Sequence, residues 1–179
     1  MPETKLQGIV FGIMMSINMA IGMEIYNVAI KTGYNAMPGG MSNMTDGVLW
    51  QAVAEASYMW MFVFLFSSLW GNRIGHAIAG RMICPEKDSD FLCTLIRASC
   101  TVWIMCPTMS MVATILFNII QGGALVYQLP AIWIGTVIKN FPMALLWNLF
   151  AAGPFTRWIF QMIFRRKKQL KKIKSDEAA

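Results

Sequence analysis

Hydrophobic positions along this chain gather into four long blocks, at residues 8–30, 48–70, 98–120 and 130–152. The connections 31–47, 71–97 and 121–129 hold most of the remaining glycine and charge outside the chain ends. Each block matches the ~20 apolar residues that a helix needs to cross the hydrocarbon core of a bilayer. Inside lipid the backbone must satisfy its own hydrogen bonds, and a chain this short cannot close a barrel, so the blocks predict helices. The expected fold class is an all-α membrane protein with four transmembrane helices. The first block sits where a signal peptide would. Its length, Glu24 within it and the absence of basic residues before it other than Lys5 predict a span that is retained.

Composition agrees with lipid as a solvent. Of 179 residues, 56% are hydrophobic and 13% charged, where a soluble domain has about a quarter charged. The 16 Met suit irregular gaps between helices and the seven Trp suit the membrane–water boundary. The net charge of +6 does not point to nucleic acid, because seven of the 15 Lys and Arg lie between Arg165 and Lys174. That run follows apolar residues and fits a membrane anchor that meets anionic lipid, each basic residue gaining about 1 kcal/mol near such a surface. The 71–97 connection adds Arg73, Arg81, Lys87 and Arg97, whereas 31–47 holds Lys31 alone and 121–129 no basic residue. Lys and Arg mark the cytoplasmic side, so the N-terminus and C-terminus are both expected there.

The two halves of the chain overlay at a spacing of 83, which sets Trp50 on Trp133 and Tyr58 on Phe141. Both halves open with a helix rich in Met and small residues that runs to an Asn. Met15, Ser16 and Asn27 do so in the first half, and Met109, Ser110 and Asn118 in the second. The second hairpin closes on Pro154, Arg157 and Arg165. These features resemble the small bacterial inner-membrane proteins grouped as domain of unknown function 2798. The first half departs from that pattern: Trp70-Gly71-Asn72-Arg73 contains no Pro, and the 31–47 connection is long. The resemblance implies a bacterial inner membrane and no known activity. The expected organisation is two parallel two-helix hairpin repeats, residues 1–97 and residues 98–179, the second with the basic tail.

Charged groups inside a membrane are costly and are candidates for function by default. Three occur here, Glu24, Glu55 and Lys139, and counting ~1.5 Å per residue from the nearer span ends places them at similar depths. A lysine between two carboxylates would form one electrostatic unit. Gly8, Gly12, Ser16 and Ala20 recur every fourth residue ahead of Glu24, a small-residue pattern that predicts close helix packing. Asn27 continues that edge. Gln51, Glu55 and Tyr58 share a face of the second span, Asn118 lies below Ser110 and Thr114 in the third, and Asn140 neighbours Lys139 in the fourth. Pro142 frees the carbonyl of Ile138 beside them.

The polar residues support two readings. One is a solute or ion pathway in a small transporter or channel component; the other is buried polar pairing in a structural, assembly or regulatory protein. In either case a bundle of four helices is thin, which favours a homo-oligomer. No nucleophile elbow, metal triad or cofactor loop is present, so neither enzyme activity nor a cofactor or metal is expected. Met37, Met41 and Met44 bring soft thioethers suited to copper(I) into one connection, a pattern that an ordinary Met-rich loop also produces. His76 reads as an interfacial residue, and Cys84 and Cys93 as free thiols on the reducing side.

Overall fold

A computed structural model of the protein describes residues 5–34, 40–41, 43–83, 89–123 and 125–176, with side chains described throughout these except at 90 and 165–176. Four long helices account for nearly all of them: α1, Lys5–Gly33; α2, Asp46–Met82; α3, Phe91–Ile120; and α4, Val126–Phe164. All four are long and apolar enough to cross a membrane. The backbone of α4 stays helical as far as Asp176. Met37, Cys84 and Lys87 lie outside the described residues, as do the side chains of the basic run from Arg165. Met41 and Met44 are exposed.

The helices exceed the expected spans, most of all in α2 and α4. The 71–97 segment was expected as a connection, yet Asn72–Met82 is helical and α3 has already begun at its far end. Gly71 and Arg73 read as the end of an apolar block. They mark only the end of lipid-like composition, because a helix can run on into water when one face stays packed. Here Gly75 and Ala79 are buried in that continuation. Ser89 starts the third helix by accepting a hydrogen bond from the Leu92 amide at 3.3 Å, which satisfies one of the first-turn donors.

Each helix contains one stretch of wider π turn: Ala29–Gly33, Ser67–Gly71, Thr114–Ile120 and Trp147–Ala152. The Asn72 amide donates to the Ser67 carbonyl, and the Gly153 amide to the Asn148 carbonyl. These i→i−5 bonds insert an extra residue into a turn and rotate every side chain beyond it.

The helices run alternately up and down. Consecutive helices pack together, and α4 returns to α1 to close the ring. Small residues set the closest approaches. Gly22 lies flat against the Trp147 indole, whose Nε1 donates to the Asn18 carbonyl at 3.1 Å. Gly75 faces Thr101, where a Cβ would come within 2.9 Å of the Thr101 Cα. The Trp133 indole donates to the Pro107 carbonyl at 2.9 Å, tying α4 to α3, and Phe11 meets Phe160 edge-on at 5.5 Å. The outer surface is apolar: Trp50, Leu65, Ile138 and Phe150 are among many large hydrophobic side chains left exposed.

Candidate functional site

A ring of four helices packed mainly against their neighbours leaves its axis open. The bundle encloses a cleft of about 970 Å³, bordered by all four helices. At one end it passes His76, Arg97 and Arg157, all exposed to solvent. We term this the basic end, since it also carries Arg73 and Arg81. Glu24, Asn27 and Asn140 border the opposite end, which we term the blind end because Glu24 and Asn140 there are almost out of reach of solvent. Between the two ends the wall is largely thioether and small side chains, including Met15, Met19, Met23, Met59, Met105 and Met109.

The small-residue pattern of α1 is buried at Ser16 and Ala20 and open at Gly8. Gly8, Gly12, Ser16 and Ala20 all border the cleft. A Cβ on Gly8 would meet nothing within 4 Å, and one on Gly12 would meet Phe64 at 3.4 Å. A four-residue repeat identifies a helix face, but what stands opposite that face depends on the neighbouring helices. Here the space beside Gly8 is open, whereas Ser16 and Ala20 are buried. Gly22, Gly71 and Gly75, which lie off this repeat, make tight contacts with neighbouring helices.

Glu24 continues the same face to the blind end of the cleft. It is 3% exposed, and its Oε2 has no hydrogen-bond partner. Asn140 is 4% exposed, and its Oδ1 likewise has none. The Tyr26 hydroxyl donates to the Lys139 carbonyl at 3.2 Å, tying α1 to α4 two residues from Glu24 and one from Asn140. Ser110 is buried on the α3 wall, and the Thr114 hydroxyl donates to its carbonyl at 2.8 Å.

The other polar residues divide differently from the expected cluster. Gln51 is exposed and its amide donates to Glu55 Oε1 at 3.0 Å, one turn along α2. Glu55 is half-buried and close enough to act on the Glu24 carboxylate through space. Tyr58 stacks at a tilt on Phe117 at 6.3 Å, and Asn118 is half-buried nearby in sequence; neither borders the cleft. Lys139 is exposed, and among the described residues no ion pair joins it to Glu24 or Glu55. The expected unit of three charges is therefore two acids without the lysine. Depth had suggested the grouping, but adjacent helix positions point about 100° apart. Asn140 faces the cleft and Lys139 faces outward. Accordingly, Lys139→Met should change the stability of the detergent-solubilised protein by less than about 0.5 kcal/mol and be additive with Glu24→Gln. Chemical unfolding of the two single mutants and the double mutant checks this. A coupling energy above that size would restore the ion pair.

Cys93, Cys100 and Cys106 are free thiols, the latter two buried. Cys106 borders the cleft, and nothing in its sequence neighbourhood marks it, since no His or second Cys stands at ligand spacing.

Residues 88–164, the second hairpin, match the family described as Domain of unknown function (DUF2798). The resemblance seen in Met109, Ser110, Asn118 and Pro154 therefore holds for that half. The whole chain is also similar to the Uncharacterized protein YybC of Bacillus subtilis (strain 168). It is 29% identical over 170 residues, covering 93% of this chain and 97% of that protein. No solved structure matches.

Proposed function

We propose that this chain, with a DUF2798 domain as its second half, is a multi-pass inner-membrane protein that carries a small solute through its central cleft. The observation behind the reading is a cleft that reaches from exposed basic residues to a buried carboxylate with an unpartnered oxygen. An uncompensated polar oxygen in a low-dielectric interior costs free energy unless something reaches it. Pure structural pairing would have satisfied it with a neighbouring helix. The cleft forms within one chain, so a binding site does not require the homo-oligomer that a thin bundle suggested.

The concentration of Lys and Arg at the basic end supports a cytoplasmic position for that end and for both termini. Two parallel hairpin repeats also gain support from the π turns. Those of α1 and α3 close their spans, and those of α2 and α4 lie midway, ahead of the charged continuations. An irregular turn at matching places in two hairpins is what a duplicated unit would inherit.

Carriage predicts that the cleft can be reached from both membrane faces. Ser110→Cys, in a variant whose four native cysteines are Ala, should react with a membrane-impermeant methanethiosulfonate reagent in inverted vesicles. A slower reaction is expected in right-side-out vesicles. Labelling from neither side would show a dry, structural interior. Labelling from one side alone would show a pocket and no pathway.

A further inference from the structure

Resting on the cleft being the solute site, we propose that its blind end binds the ammonium group of an organic amine, whose apolar body lies along the methionine wall. Glu24 and Asn140, which border this end, are both at least nine-tenths buried, and both present an oxygen without a hydrogen-bond partner. In its ionised form, which a bound cation favours, the Glu24 carboxylate only accepts hydrogen bonds, as does an amide oxygen. The missing partner is therefore a donor. Among the described residues no cation pairs with Glu24, so the donor that fits its ionised form is positively charged.

The arginines at the other end do not reverse this preference. Arg97 and Arg157 are exposed, where water and salt screen them. A charge at the blind end interacts about fourfold more strongly at equal distance, given the lower effective dielectric there. A bare metal ion fits poorly. Hard cations take six or more oxygen ligands, and the blind end offers two unpartnered acceptors. The size of the cleft, about 970 Å³, is that of a site for an organic molecule of drug-like dimensions. Thioether walls are polarisable and have several rotamers, so they accommodate apolar bodies of differing shape.

The probe is dansylcadaverine, a primary ammonium on an alkyl chain with a fluorescent apolar end. N-pentyl dansylamide is its uncharged counterpart. Binding to the purified full chain in detergent is read from the dansyl emission. The wild type should bind the amine at least about tenfold more tightly than the neutral compound, as a charged hydrogen bond allows. Glu24→Gln should erase that difference while leaving the neutral compound unaffected, and Glu24→Asp should recover part of it. The amine should also slow maleimide labelling of Cys106 in a protein whose other cysteines are Ala. That measurement keeps Glu24 intact, so it decides the matter even if Glu24→Gln fails to fold.

Equal binding of the two compounds by the wild type would overturn the proposal. So would displacement of the amine by low-millimolar caesium chloride, which would mark an inorganic-ion site. Amine selectivity with Ser110→Cys labelled from one face would uphold the ligand class and remove carriage. Two-sided labelling without amine selectivity would remove the ligand class and leave carriage standing.

Discussion

Gly22→Leu should lower the stability of the solubilised bundle by about 2–3 kcal/mol, the usual scale for forcing extra carbons into a filled contact. The Trp147 indole lies flat where the new Cβ must go, with Cε2, Nε1 and Cδ2 all inside ordinary contact distance of it. Moving the ring aside would also break its hydrogen bond to the Asn18 carbonyl, 3.1 Å long, which costs a further ~1 kcal/mol. Even Gly22→Ala should destabilise, although alanine favours a helix over glycine by about 1 kcal/mol. Gly12→Ala is the matched control on the same helix. Its Cβ would rest 3.4 Å from Phe64 at the edge of an open cleft, so the helix preference should prevail and the protein should become slightly more stable. Unfolding midpoints of the three variants measure the ordering. If Gly12→Ala proved as damaging as Gly22→Leu, the small-residue repeat of α1 would be a packing surface after all.

That contrast shows what residue patterns convey in this chain. Four spans are legible because apolar length is a local property, and each expected block falls inside one of the four helices. The face of α1 that carries Ser16, Ala20 and Glu24 is legible too, since a four-residue repeat is also local. What that face meets is not. It depends on how the ring of helices closes, which is set by Gly22 on Trp147, Gly75 on Thr101 and Trp133 on Pro107, contacts between residues far apart in the chain. Depth alone groups Lys139 with the acids. Its depth follows from counting residues, whereas its direction depends on how the helix is rotated against its neighbours. The continuation Asn72–Met82 was hidden for another reason: charge ends a membrane block without ending a helix.

Glu24→Met should act in opposite directions on stability and on function. Methionine is close to glutamate in length and volume, so the substitution removes a buried oxygen that has no partner and adds a side chain like those already in the wall. Relief of one unsatisfied buried group is worth about 1–3 kcal/mol, and the ligand-free protein should be more stable by that amount in chemical unfolding. The preference for dansylcadaverine over N-pentyl dansylamide should disappear in the same variant, since no anion remains at the blind end. A side chain kept at a cost to stability is what a binding site requires. A side chain kept for the fold behaves otherwise. If Glu24 served to hold α1 against its neighbours, Glu24→Met would destabilise the protein and the ligand preference would be unaffected. The two readings of the polar residues in these apolar helices thus differ in the sign of one measured free energy.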